Sequence, residues 1–202
     1  MDWLFYENKY ISQGKNLICG VDEAGRGPLA GPVCAAAVIM PEGLIIEGVN
    51  DSKKLTAKKR EKLFDIIKNE AVCYSVAFAS ASEIDEINIL NATHLAMTRA
   101  VEGLEKVPEV VLVDGNSLPK WYYNSEAIVK GDAVCHSIAC ASILAKVSRD
   151  RLMLLEAEKY PQYSFEKHKG YGTKVHTQAL KEYGPCPIHR KTFLKKILKK
   201  DE

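Results

Sequence analysis

Four acidic residues, Asp22, Glu23, Asp114 and Asp132, stand where apolar, strand-like runs end or where a helix follows one. The run from Asn16 to Val21 reads as a buried strand, and a carboxylate delivered at its end is costly unless a cation or hydrogen bonds compensate it. Gly25 and Gly27 open backbone amides to close approach by a ligand, and Arg26 between them adds a fixed positive charge; together they suit a phosphate-bearing substrate. If the acids converge on one sheet edge, they repel one another and take up protons unless divalent cations neutralise them. Hard ions of the Mg²⁺ or Mn²⁺ kind prefer such oxygen ligands. Two of them about 4 Å apart can activate a water and stabilise the departing oxygen of an in-line phosphoryl displacement.

Each residue also has a plainer role open to it. Asp22 and Glu23 can cap local amides, with Arg26 paired to one of them; Asp114-Gly115-Asn116 is a common turn signature; Asp132 can be the N-cap of the helix that follows. Adjacent Asp22 and Glu23 point to opposite faces of a regular strand, so a shared site requires a bulge, the strand's end, or ligation through main chain or water. Only the joint pattern points to metal.

The elements that must position these groups follow from periodicity. Leu17 to Val21, Pro32 to Met40 and Ala71 to Ala79 read as strands, and Thr56 is placed to cap a helix through Leu63, Phe64, Ile66 and Ile67. Ser82 and Asp85 resemble a capping box opening a second helix, whose stripe Ile87, Leu90, His94, Met97, Val101 and Leu104 predicts His94 as a core histidine. Glu109 to Val113 predicts a fourth strand, Ala127 to Val129 a short fifth, and Ala133 to about Glu158 a long helix. The stripe of that helix, Ile138, Ala141, Ala145, Ser148, Leu152 and Leu155, is small at its first end and so suits close contact with a sheet. From Tyr160 onward the chain reads as a loop and two helices about Gly184-Pro185-Cys186-Pro187, a basic appendage on an α/β core.

With 202 residues, 47% of them apolar, the chain has ample material for one good-sized domain. No apolar run approaches the ~20 residues that span a bilayer, and the start lacks the order of a signal peptide, so a cytoplasmic protein without membrane contact is expected. The six cysteines, Cys19, Cys34, Cys73, Cys135, Cys140 and Cys186, suit reduced, mostly buried thiols. Neither Cys186 with His189 nor Cys135 with His136 has the second pair that a zinc site requires, and no nucleophile elbow or Walker-type loop is present. The net charge is only +2, yet Lys167, Lys169, Lys174, Lys181, Arg190, Lys191, Lys195, Lys196, Lys199 and Lys200 cluster toward the end, as do Lys53, Lys54, Lys58, Lys59 and Arg60 earlier. Such clusters can neutralise phosphates, although a charge run is also the ordinary composition of a solvated helix face.

Six ordered blocks together resemble the bacterial type 2 ribonuclease H (ribonuclease HII) family. They are the stretch from Asp22 to Val33, Asn50-Asp51-Ser52-Lys53-Lys54-Leu55, Val113-Asp114-Gly115-Asn116 with Gly131-Asp132, Ser137 to Asp150, His168-Lys169-Gly170-Tyr171-Gly172-Thr173, and His189-Arg190-Lys191-Thr192-Phe193. Cys140 stands where the family commonly has alanine and Ser148 where it commonly has threonine. Asp132 in place of glutamate, Arg26 in place of lysine, and the short stretch before Asp22 favour type 2 over type 3.

The resemblance implies an α/β, ribonuclease H-like fold, a mixed five-stranded sheet flanked by helices. Residues 1–159 would form the catalytic core and 160–202 a C-terminal basic helical region of the same compact unit. It implies cleavage of the RNA strand of RNA–DNA hybrids and incision 5′ to single ribonucleotides in duplex DNA, leaving 3′-hydroxyl and 5′-phosphate ends, in ribonucleotide excision repair and RNA primer removal. Asp22, Glu23, Asp114 and Asp132 would form the catalytic centre with two Mn²⁺ or Mg²⁺ ions. Gly25, Arg26 and Gly27 would meet the ribonucleotide's 2′-hydroxyl and backbone, and Tyr171 would pack on the following deoxyribose. Lys53, Lys146 and the C-terminal helices are candidate phosphate contacts. A monomer is expected, with links to replication or repair machinery in many organisms. The rivals are a non-catalytic nucleic-acid-binding module and a different metal-dependent nuclease or phosphotransferase on the same core.

Overall fold

The computed structural model describes residues 2–195 and 197. In chain order its elements are α1 (Phe5–Ile11), β1 (Ile18–Ala24), β2 (Val33–Ile39), α2 (Ala57–Glu70), β3 (Cys73–Ala79), α3 (Ala81–Glu102), β4 (Val110–Asp114), β5 (Ser125–Ile128), α4 (His136–Lys159), α5 (Phe165–His168), α6 (Lys174–Tyr183) and α7 (Lys191–Leu194). The strands form one mixed sheet in the order β3-β2-β1-β4-β5; β1 pairs antiparallel with β2 and parallel with β4.

Alternation along the strands sorts the two faces. Cys19 and Val21 of β1, Ala35 and Ala37 of β2, and Val111 and Val113 of β4 pack on Ala92, Ala96, Met97 and Ala100 of α3. The alternate residues face the other way. Cys34, Ala36 and Val38 meet α2 and the first half of α4, and Ile18, Val110 and Leu112 meet Ile138 of α4. The small residues of α4 do bring it close to the sheet. At Gly20 an added Cβ would lie 2.2 Å from the main chain of Ser137, so only glycine admits the first turn of α4 there.

Several sequence expectations shift in the folded chain. The capping box of α3 is Ser80 with Glu83, two residues ahead of Ser82 and Asp85. Asp85 instead accepts the amides of Lys191 and Thr192 at 2.8 and 2.9 Å, tying α7 to the body. Within α3, Asn88 leaves helical geometry at φ 66, and its side chain caps Leu90 and Asn91 at 3.0 and 3.1 Å. Beyond it the buried face is Ala92, Thr93, Ala96, Met97, Ala100 and Val101, so Leu90 is exposed and His94, at the margin of that face, is only half-buried. On α4, Leu155 is likewise exposed, and Met153 and Ala157 make the contact with the C-terminal region.

Asp132 is not the N-cap of α4; it lies in a 3₁₀ turn at Gly131–Ala133. The first turn of α4 is satisfied from a distance by Glu7 of α1, a helix that periodicity had not suggested, which accepts from the Ser137 amide at 2.9 Å. Trp121 and Tyr123 meet edge to face and pack on the α3 side, the indole N–H donating to Ser125. The described cysteines are all free. Lys196, Lys199 and Lys200 of the basic run lie outside the described residues.

Candidate active site

The parallel pair β1 and β4 ends at one edge of the sheet, and that edge carries the acids. Asp22 shares its face with Gly20 and Ile18, toward α4; Asp114, two residues beyond Leu112, shares the same face. The 3₁₀ turn before α4 brings Asp132 alongside, its amide donating to Asp114 Oδ1 at 3.4 Å. Glu23 lies on the opposite face, as alternation requires. It sits at the strand's end, where Arg26 approaches it at 3.5 Å. Glu23 thus stands near the strand's end, and the β1–β2 register carries no bulge there.

Burial and neighbouring charge both disfavour the ionised acids. Burial, with Glu23 and Asp114 beside it, pushes Asp22 well above the ordinary carboxylate range, and a hydrogen bond from Ser142 offsets only part of this. Burial and then the Asp132 charge raise Asp114, and burial with Asp114 raises Glu23 against the pull of Arg26. Burial opposes the charge of Lys53, but Asp132, Asp22 and Asp51 hold it above the ordinary lysine value. Its Nζ lies 3.5 Å from Asp132 Oδ2. Lys53 is positioned by Asp51, whose carboxylate accepts the Lys53 amide at 2.9 Å.

Four carboxylates against Lys53 and Arg26 leave excess negative charge in a half-buried corner. Among the described residues no three Asp, Glu, His or Cys side chains stand at ion-holding spacing. The donor set is hard oxygen throughout, and divalent ions would offset the burial and mutual repulsion that raise Asp22, Glu23 and Asp114. The residues thus fit Mg²⁺ or Mn²⁺.

Beside the acids, Gly25 adopts φ 97, and a Cβ there would sit 2.0 Å from Arg149 Nε. Glycine is required by both the conformation and the buried guanidinium. Arg26 and Gly27 are exposed, and the Tyr171 ring, itself 44% exposed, lies close enough that a Cβ on Gly27 would be 3.7 Å from it. Lys146 stands apart from this corner, its Nζ held by Asp150 at 2.7 Å. His94, expected in the core, hydrogen-bonds Ser117 at 3.2 Å instead; burial and the Arg26 charge lower its pKa.

Sequence reasoning missed two arginines. Arg149 and Arg190 are 1% and 0% exposed, and among the described residues neither pairs with a carboxylate. Arg149 donates to the carbonyls of Pro32, Ala30 and Lys169 at 2.9 to 3.1 Å. Arg190 donates to Gly31, Arg26 and Gly25 at 2.9, 2.7 and 2.5 Å. Counting Arg190 with the basic surface was therefore an error: its charge is spent inside on the glycine loop. No local signal separates it from the lysines that follow, because its partners lie about 160 residues earlier in the chain. In the zinc-like pair, Cys186 and His189 approach at 3.1 Å as hydrogen-bond partners.

The family model for ribonuclease HII matches residues 19–196. Ribonuclease HII of Caldicellulosiruptor bescii is 62% identical over 192 residues, covering 95% of this chain and 93% of the relative. Among solved structures, ribonuclease H2 of Pyrococcus horikoshii superposes with a TM-score of 0.73 at 32% identity, covering 89% of this chain and 96% of the other. A ribonuclease HIII solved in complex with Mn²⁺ has a TM-score of 0.63 at 16% identity, with 84% and 63% coverage, and shows the shared fold alone. No described helix is long and apolar enough to cross a membrane. The chain belongs to the ribonuclease HII family and is a hydrolytic, metal-dependent ribonuclease H acting on the RNA strand of RNA–DNA hybrids.

Proposed function

We propose that this enzyme also incises duplex DNA 5′ to a single embedded ribonucleotide, leaving 3′-hydroxyl and 5′-phosphate ends, and so serves ribonucleotide excision repair and RNA primer removal. Asp22, Glu23, Asp114 and Asp132 are proposed as the catalytic acids and as the residues that hold two divalent ions, Mn²⁺ or Mg²⁺. Bound there, the ions would supply an activated water and neutralise charge on the departing oxygen. The acids contribute by holding their oxygens at one sheet edge, where rigid strands and the start of α4 limit their movement.

The support comes from one adjacency: the flexible-backbone glycines and the Tyr171 ring stand together next to that edge. Exposed Gly27 leaves room for a sugar to approach the main chain of Gly25-Arg26-Gly27, where backbone groups can recognise a 2′-hydroxyl, while Gly25 makes room for Arg149 beneath that loop. The Tyr171 ring would pack on the next sugar, which fits best without a hydroxyl. Reading one hydroxyl present and the next absent selects an RNA-to-DNA junction. Lys53, beside Asp132, would offer its charge to the backbone near the cut, and Lys146 and the C-terminal helices would make more distant phosphate contacts.

Two matched duplexes, one all-DNA and one with a single ribonucleotide, test this directly. Incision of the second alone, 5′ to the ribose and dependent on Mg²⁺ or Mn²⁺, is expected. Equal cutting of both, or cutting of continuous hybrids only, would remove the proposal.

A further inference from the structure

Beneath Tyr171 lies a polar cluster that the acids do not touch. His168, His176 and His189 are buried with Tyr163 and Phe165. The rings of His168 and His176 stack at 4.6 Å, and His176 Nε2 meets His189 Nε2 at 2.9 Å. Such a nitrogen pair needs one proton between them, so one ring donates and the other accepts.

The outer partners decide which. The Tyr171 carbonyl can only accept and lies 2.9 Å from His176 Nδ1, so that nitrogen carries a proton. A neutral His176 then accepts at Nε2, and His189 donates to it. His189 Nδ1 is left bare, and it receives the Cys186 amide at 2.9 Å, with the Cys186 thiol at 3.1 Å. His168 is assigned in the same way: Nε2 donates to the Tyr163 carbonyl at 2.9 Å, and Nδ1 accepts the Gly170 amide at 3.2 Å. The Cys186 carbonyl also lies 3.3 Å from His189 Nδ1, but the amide is nearer, so every ring nitrogen has a partner of the complementary kind and no ring needs a charge. Burial lowers all three pKa values, that of His189 to about 4 with His176 as second cause.

The loop above has reason to be held. Lys169 and Gly170 are both left-handed, at φ 52 and 87, and a non-glycine residue persists there only when its surroundings enforce it. Gly170 accepts the Leu29 amide at 2.8 Å, and Arg149 donates to the Lys169 carbonyl. Tyr171, next in line, has its carbonyl bound by the Thr173 amide at 2.8 Å and by His176.

We infer that His176 and His189 are positioning residues for Tyr171: a relay of neutral hydrogen bonds starting at Cys186 holds its main chain so that the ring stands beside Gly27, and this sets the preference for a deoxyribose after the ribonucleotide. The inference rests on the role proposed for Tyr171 and is independent of how the acids bind ions. The dipeptide His189-Arg190 anchors both reading surfaces, since Arg190 holds the Gly25 and Arg26 carbonyls.

The test compares the rate on a single-ribonucleotide duplex with that on a continuous hybrid, and uses their ratio. Tyr171→Ala comes first; if it leaves the ratio unchanged, the role proposed for Tyr171 fails, and that failure is seen apart from the relay. His176→Asn keeps a donor near the Nδ1 position and His176→Leu removes it. The relay predicts a ratio within about twofold of wild type for Asn and about tenfold lower for Leu, the scale of one lost hydrogen bond. Adding His176→Leu to Tyr171→Ala should lower the ratio no further. A merely structural histidine would instead lower both rates in parallel and leave the ratio constant in every variant, overturning the inference. Should a variant fail to fold, ¹⁵N imidazole shifts of the wild-type protein decide: protonation at Nδ1 of His176 and Nε2 of His189 is expected, and the reverse tautomers refute the relay.

Discussion

The acidic edge and the arginine–histidine interior behind the glycine loop are neighbours built on opposite terms. At the edge, Asp22, Glu23 and Asp114 are pushed up by burial and by one another, and hydrogen bonds with the charges of Lys53 and Arg26 offset this only in part. In the interior, Arg149, Arg190 and three histidines are also buried, yet each has its partners among backbone groups and rings. One region is left electrostatically incomplete, and the other is complete without ligand. Incompleteness suits a site that must bind cations, and completeness suits a frame that must not move.

The largest expected effect breaks this contrast at the edge. Asp114→Asn should lower Mg²⁺-supported incision by about a thousandfold or more, several kcal/mol of lost stabilisation, while duplex binding measured by fluorescence anisotropy is largely kept. Without divalent ions the same variant should unfold at an equal or higher temperature than wild type, because a repelling charge is gone. A clear drop in melting temperature would mean that the edge is part of the frame after all.

The mirror experiment is Arg190→Met. It leaves the carbonyls of Gly25, Arg26 and Gly31 without their buried donor, and a stability loss of about 3–5 kcal/mol in denaturant titration is expected. A loss below about 1 kcal/mol would show that solvent or a neighbour replaces the guanidinium.

A smaller effect comes from acid. His189 titrates near 6.5 when unfolded but at about 4 when folded, so the unfolded chain binds the proton first as pH falls. Its contribution is complete above the unfolded value and is lost as pH falls toward 4. The loss is on the order of 2 kcal/mol once solvent screening is allowed for. Denaturant titrations at pH 7.5 and 4.5 should show it, and His189→Gln should flatten that slope.

Local patterns were legible where one residue's neighbours in sequence are also its neighbours in space. Thr56 caps α2 through the Lys59 amide as its position suggests, and the apolar runs before Asp22 and Asp114 become β1 and β4. His94 was misread because the buried face of α3 is centred on Ala92, Ala96, Met97 and Ala100, small residues that a stripe of large side chains overlooks, and His94 lies at its margin. The first turn of α4 was misread because its satisfying carboxylate, Glu7, comes from 130 residues away.

Taken alone, the amino-acid order determined the family, the alternation of strands and helices, and which acids could serve as hard-oxygen donors, since these depend on residue type and short-range spacing. Only the tertiary structure decided that Asp22 and Asp114 share a face while Glu23 reaches the edge from the other side, because strand pairing and register are long-range. It likewise decided that Arg190 is an internal clamp and that the Tyr171 carbonyl is held by His176. A guanidinium or an imidazole has the same chemistry on the surface and in the interior, and its role depends on which carbonyls the fold places within its reach.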